Sequence, residues 1–510
     1  MYIPLIGRLS LSEWPVILIS FALTWIEYFV AVITTLLPIG VINAFSKALL
    51  IFYSFTTNPI RLLNVVRDDE IKYSYLDRRS GTSISSQEYD RMIGLLNSTD
   101  IREMCQLFGY DVEQRLVKTD DGYLLTIQRI TKPGKQARRS GKVIYLHHGL
   151  LMSCEIWVTM LEKNLNLPFI LYDLGFDVWL GNNRGNKYSQ KHLYYKLNSE
   201  EFWNFSLDEF ALFDIPNSID YILKETGESS LTYIGFSQGT AQAFASCSIN
   251  PELDKKIEQI IAISPATTPH GLYSKFLDIL LKSSPGIVYL LFSRRILMPS
   301  VIFWQKIMYP PFFDTMIDIS NYILFNWKSQ NITKIQKLCS YAHLYSTTSV
   351  KTVVHWFQII SHKNFQMYHD NSLLTGLNPI SYPLKNIKIP IHLIYGTSDS
   401  LVDINVMKSQ LPEEHTTAHA VENHEHLDNL WGYDVYDKVF RHVLEYLYES
   451  YSLDPTSPNA SIADSSKTIY KSHLKAANDH EDIFFNGETA VDNSGDVIRR
   501  NPSTGGSVFI

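Results

Sequence analysis

The run Leu231-Thr232-Tyr233-Ile234-Gly235-Phe236-Ser237-Gln238-Gly239 constrains the fold of this chain more than any other. An apolar, β-branched segment feeds straight into Gly-x-Ser-x-Gly, and the helix-compatible stretch Thr240-Ala241-Gln242-Ala243-Phe244-Ala245 follows. Strand, tight turn and helix in that order lift a serine hydroxyl into the open. The glycines are steric requirements, because a Cβ at Gly235 or Gly239 would collide with a neighbouring strand or helix. The five-residue motif, with only three fixed positions, is common by chance; its strand-then-helix context makes Ser237 a candidate nucleophile.

The rest of the chain supplies a sheet for that turn. Glu113–Thr119 and Tyr123–Arg129 partly alternate apolar and polar residues around Asp120-Asp121-Gly122, a β-hairpin signature. Val143–Leu146 is a continuous apolar run, as expected of a buried parallel strand, and the largely apolar Phe176–Leu180, Gln259–Ile263 and Pro390–Gly396 read as further strands. Leu207–Leu223 has helical spacing and contains Pro216. Strands alternating with helices predict a mostly parallel α/β sheet. Residues 267–383 break the rhythm with a segment rich in aromatic and apolar residues, including Trp304, Phe312, Phe313, Trp327 and Trp356. This segment is read as a helical cap between core parts 99–266 and 384–451. Residues 61–98 read as a linker. Residues 452–510, rich in Ser, Asn, Asp, Gly and Pro, read as a disordered tail.

Residues 1–60 read as a membrane anchor. Val16–Leu37 carries a single charge, Glu27, and is long enough to cross a hydrocarbon core of roughly 30 Å. Pro38-Ile39-Gly40 then breaks the helix before a second apolar run, Val41–Phe55. The apolar region is too long for a cleaved leader and ends without a small-residue cleavage site. A single span and a hairpin both remain open. A net charge of −7 and the lack of a basic run exclude nucleic acid as an expected partner. Cys105, Cys154, Cys247 and Cys339 form no CxxC pair and no disulfide framework, which fits a reducing compartment.

A serine hydroxyl needs a base within reach and a third group to orient that base. On an α/β-hydrolase elbow, the acid and then the histidine follow the serine in the chain. Asp399 lies in Gly396-Thr397-Ser398-Asp399, just past an apolar strand. His426 lies in Asn423-His424-Glu425-His426-Leu427-Asp428. Asp403 competes for the acid position, and His424 and, more weakly, His419 compete for the base. An oxyanion hole needs two preorganised N–H donors. The candidates are Gln238, next to the serine, and Leu150, in His147-His148-Gly149-Leu150 after the first long buried strand. His147 and His148 lack a carboxylate or cysteine partner at metal-ligand spacing and read as structural histidines.

The chain resembles the acid lipase family, which includes gastric and lysosomal lipases and fungal sterol ester hydrolases. It is most similar to the membrane-anchored fungal lipid-droplet enzymes of that family. The residues that carry the resemblance lie between about 99 and 447: Asp121–Leu125, His148–Leu150, Gly181–Asn186, Phe202–Glu209, Gly235–Thr240 and Glu425–Asp428. The resemblance implies an α/β-hydrolase with a helical cap, the triad Ser237, Asp399 and His426, and oxyanion donors at Leu150 and Gln238. It implies a membrane-associated esterase that hydrolyses sterol esters, with triacylglycerol as a second substrate, and that needs neither metal nor organic cofactor. The expected location is the lipid droplet or endoplasmic reticulum membrane, with a cytosolic catalytic domain. A lipid acyltransferase with the same triad and a non-catalytic lipid-binding scaffold are the rival readings. Two features depart from the secreted lipases: an anchor replaces the cleaved leader, and a closely spaced cap cysteine pair is missing. Both weigh against the lysosomal location and strongly acidic optimum that the family name suggests.

Overall fold

The computed structural model describes residues 11–38, 86–134, 142–269, 284–308, 310–370 and 379–451. It also describes single positions between 9 and 48, positions 279 and 281, and the short strands Ala490–Val491 and Val497–Ile498. Most of the second apolar run, Val41–Phe55, lies outside the described residues. So do residues 61–85 of the expected linker and, apart from the two-residue strands, which pair with each other, the tail from 452.

The core is one sheet. Its strands are β1 (Asp111–Lys118), β2 (Tyr123–Thr131), β3 (Val143–His147), β4 (Asp177–Leu180), β5 (Lys191–His192), β6 (Leu231–Phe236), β7 (Ile257–Ile263), β8 (Ile391–Gly396) and β9 (Thr416–Val421). The order across the sheet is β1-β2-β4-β3-β6-β7-β8-β9, with β5 on β2. The pairs from β4 through β9 are parallel, and β2 joins antiparallel to β1, β4 and β5. The hairpin forms with Lys118 opposite Leu124, and its turn is closed by Gly122 at φ +100°. Strands β3, β4 and β6 are buried at every residue, as parallel strands covered on both faces are, and are mostly apolar in consequence. The chain goes from β3 to β4 on one side and later to β6 on the other. The carboxyl ends of β3 and β6 therefore flank the point where the strand order reverses, the usual place for a ligand crevice in such sheets.

Helices follow the sequence reading with one correction. The linker expected over 61–98 does not reach 98: α2 (Ser86–Asn97) is a helix, and its Met92 and Leu95 are fully buried. Helices α3 (Ile101–Gln106) and α4 (Leu167–Asp173) precede β1 and β4. The stretch from Leu207 passes through a π-turn at Phe210–Asp214 into α5 (Ile215–Thr226), and Pro216, which has no N–H to donate, sits just past that π-turn. Helix α6 (Gln238–Ile249) follows the elbow. Between β7 and β8 lie α7 (Pro285–Phe292), α8 (Val301–Ile307), α9 (Pro310–Phe325), α10 (Lys334–Tyr341) and α11 (Val350–His362). Helices α12 (Ile404–Gln410) and α13 (Arg441–Tyr451) complete the core.

The N-terminal helix α1 (Trp14–Leu36) has 23 residues and ends at Leu37, which Pro38 forces into an extended conformation. Among the described residues it is the one helix long and apolar enough to cross a membrane. One stripe of it docks on the cap. Ile17 packs with Ile279, Ile287 and Leu291. Glu27 accepts hydrogen bonds from the N–H and hydroxyl of Ser300. The reason is electrostatic: a carboxylate in an apolar helix needs donors, and the start of α8 supplies them.

Candidate active site

Ser237 sits at φ 53°, ψ −120°, half-buried, between β6 and α6. This is a strained conformation for a residue with a side chain. A Cβ on Gly235 would lie 2.8 Å from Thr240 N, and one on Gly239 would lie 2.6 Å from His147 O. The motif's spacing is therefore dictated by backbone contact.

The loop after β8 carries Asp399, and the loop after β9 carries His426. Both are buried, and His426 Nδ1 lies 2.6 Å from Asp399 Oδ2. The ring of Phe236, the residue before Ser237, lies 5.1 Å from the His426 ring. Among the described residues Ser237 Oγ makes no hydrogen bond, so the serine–imidazole contact is open here; such contacts commonly tighten only around substrate. The competitors have other partners. Asp403 caps α12 by accepting from Val406 N. His424 lies between Asn429 and Asp434. Burial disfavours the charged form of His424, but Asp434 outweighs burial and raises its pKa. His419 packs against His442.

The His426 loop is held from below. Ser264 Oγ donates to His426 O at 2.8 Å and accepts from Asn429 Nδ2 at 2.9 Å. Sequence reading did not single out Ser264 or Asn429, because neither belongs to a motif and they act together only across 165 residues.

The strand-end loop after β3 crosses the elbow. A Cβ on Gly149 would lie 3.1 Å from Ser237 Cβ, so Leu150 follows a residue packed closely against the Ser237 side chain. Gln238 opens α6, where the first N–H groups of a helix have no helical partner. Below the loop lies a buried polar network. His148 Nδ1 faces Gly149 O at 2.8 Å, and its Nε2 accepts from Asn183 N at 3.1 Å. Gln242 bridges His147 and Asn183. Burial pushes both imidazoles down, His148 to about 4, so both are neutral at pH 7. Arg184 pairs with Asp214 and Asp121 and lies over the Tyr123 ring. The Asp121–Tyr123 and Gly181–Asn186 motifs thus meet in one structure behind the loop.

The cap reaches the site at two points. Trp356 Nε1 donates to Gln238 Oε1 at 2.7 Å. Trp327 stacks on His426. Phe313 is buried, whereas Phe312 is 45% exposed on the outer face of α9. The four cysteines are buried free thiols.

Residues 101–161 match a family model described as a partial alpha/beta-hydrolase lipase region, and residues 142–433 match one described as the alpha/beta hydrolase fold. Two proteins of Schizosaccharomyces pombe, each named a probable lipase, are 50% and 45% identical to this chain. The first match covers 71% of this chain and 83% of the relative, and the second covers 81% and 89%. Human gastric triacylglycerol lipase is 34% identical, over 69% of this chain and 91% of its own length.

Proposed function

The chain belongs to the acid lipase family of α/β-hydrolases and is a carboxylic ester hydrolase, and from that premise we infer that it is a membrane-associated serine esterase cleaving sterol esters to free sterol and fatty acid, with triacylglycerol as a second substrate. The 2.6 Å contact between Asp399 and His426, beside the strained elbow of Ser237, carries the reading. Ser237 Oγ attacks the ester carbonyl while His426 takes its proton and Asp399 orients the imidazole. The N–H groups of Leu150 and Gln238 receive the oxyanion. His426 then passes the proton to the departing alkoxide oxygen, and free sterol leaves. Water, giving a proton to His426, attacks the acyl-serine and releases fatty acid, which restores Ser237.

Sterol esters come first because the motif set resembles the fungal sterol ester hydrolases. The relative named gastric triacylglycerol lipase supports the second substrate. Membrane association is supported by the inverted character of α1. Its docked stripe is Ile17, Ser20, Thr24, Glu27 and Ala31, while Leu18, Trp25, Phe29 and Leu36 face outward and are at least half exposed. Ser20 and Thr24 return their hydroxyls to the helix backbone. Polar and small residues inward with apolar residues outward is the pattern of a helix surrounded by hydrocarbon. The location that follows is the surface of a lipid droplet or the endoplasmic reticulum membrane, with the catalytic domain in the cytosol.

The test combines hydrolysis of cholesteryl oleate and triolein with neutral-lipid profiles of cells. Ser237→Ala, Asp399→Asn and His426→Ala should each lose several orders of magnitude in rate, as triad variants do. Asp403→Asn and His424→Ala should be mild. Near-normal cholesteryl oleate turnover by Ser237→Ala would end the serine-esterase reading. Triolein cleavage with cholesteryl oleate untouched would make triacylglycerol the substrate.

A further inference from the structure

We propose that Trp327, carried by the cap, is a positioning residue for the imidazole of His426, and that its indole face favours the imidazolium formed during ester cleavage. This rests on the reading of His426 as the general base.

The two rings are nearly coplanar in orientation, 5° apart, with centroids 5.1 Å from one another. Cations are drawn to an aromatic face within about 6 Å, and an indole is the strongest such face among the side chains. As His426 takes the Ser237 proton, a positive charge develops beneath that face. The flat contact also restricts rotation of the imidazole out of its plane, which complements the single bond from Asp399. Trp327 is 5% exposed, and its buried Nε1 has no hydrogen-bond partner among the described residues. An unpaired buried N–H is costly, so hydrogen bonding is not what holds the ring in this place.

The segment that presents Trp327 is fastened to both loops of the acid–base pair. Ser400, next to Asp399, donates its hydroxyl to Phe325 O at 2.6 Å. Glu425, next to His426, accepts from Lys328 N at 2.8 Å and Ser329 N at 2.7 Å. Asn331 donates to Asn423 O and to Asp428 Oδ2. Phe325 stacks on Trp327 from within the cap, with centroids 4.3 Å apart. Asn326, between them, is held at φ 59°. The stretch from Phe325 to Asn331 therefore moves with the Asp399 and His426 loops and keeps the indole in register with the imidazole.

The test measures kcat and KM on p-nitrophenyl butyrate, and the rate of fluorophosphonate labelling of Ser237, with the full chain in detergent. Labelling reports the attack step without deacylation. Trp327→Leu, and Trp327→Met as a second ring-less variant that keeps more of the buried volume, should lose about tenfold in kcat and in labelling rate. KM should stay within about twofold, because the ring acts on the base and not on substrate binding. Trp327→Phe should recover to within about threefold of wild type, since it restores an aromatic face without the N–H. Wild-type kcat in both ring-less variants, a loss confined to KM, or a Phe variant as impaired as Leu would each overturn the proposal. His426→Ala is the control. If it is inactive while the ring-less variants are unimpaired, only this proposal fails. If it is active, the general-base reading fails and this proposal with it.

Discussion

At the residue scale, the proposed site is held by side chains outside the Ser237, Asp399 and His426 set. His148 is the clearest case. Neutral and buried, it uses one ring nitrogen on Gly149 O and the other on Asn183 N, so it ties the loop that carries Leu150 to the loop after β4. The bonding pattern assigns the proton to Nδ1, since Nε2 accepts. His148→Phe keeps the ring's bulk and removes both bonds. Leu150 N–H should then lose its fixed position, and kcat on a short soluble ester should fall about ten- to hundredfold with KM little changed. Deleting an oxyanion donor outright costs about 10²–10³-fold, so a loss beyond that range would mean the fold had failed; circular dichroism would check this. The elbow around Ser237 was legible in the sequence because backbone contact confines its glycines to a short, fixed spacing. The pairings were not. His148 with Asn183, Ser264 with Asn429, and Trp327 with His426 are contacts between distant parts of the chain, and no local pattern encodes them.

At the element scale, strands were easier to read than the segments that brace them. Buried parallel strands must be apolar on both faces, so β3, β4, β7 and β8 stand out as runs. Helix α2 does not, because Ser-Gln-Glu-Tyr-Asp-Arg opens it with polar residues and only Met92 and Leu95 face fully inward. What fixes α2 is tertiary. His343 of the cap places Nε2 2.8 Å from Leu95 O and Nδ1 2.9 Å from Glu155. Glu155 also accepts from Lys187 and Tyr188. One fully buried carboxylate thus joins α2, the cap and the core. Burial alone would raise its pKa, but His343 and Lys187 outweigh burial and hold it at about 2. Because the folded value is depressed below the ordinary 4.5, the stabilisation is complete above about pH 4.5 and is lost as pH falls toward 2. Glu155→Gln should cost about 1–3 kcal/mol at pH 7, since it leaves the half-buried Lys187 without its charge partner. It should also flatten the acid limb of stability against pH, measured by urea unfolding. A variant that keeps the wild-type acid limb would assign that limb to other carboxylates.

At the scale of the whole molecule, α1 and the cap form one body. The buried or half-buried stripe from Ile17 to Ala31 spans about 21 Å of helix at 1.5 Å per residue. Wherever α1 lies in lipid, the cap is held beside it. The outward side chains of α9, Phe312, Met316, Ile319 and Ile323, repeat at helical spacing and are at least 43% exposed, so the cap presents an apolar face of its own. The polar link within this body is Glu27 on Ser300, and it separates anchoring from alignment. Glu27→Leu removes a charge that is costly in hydrocarbon, so membrane retention should be unchanged or firmer in carbonate-washed fractions. The same change frees α8 from α1. Hydrolysis of cholesteryl oleate presented on droplets should then fall several-fold, while turnover of p-nitrophenyl butyrate in detergent should stay near wild type, because no group at Ser237 has been altered. Equal losses on both substrates would mean that Glu27 supports folding of the cap. Full droplet activity with retention intact would mean that the apolar packing of Ile17 with Ile287 and Leu291 is enough to align the cap, and that the carboxylate is simply satisfied there.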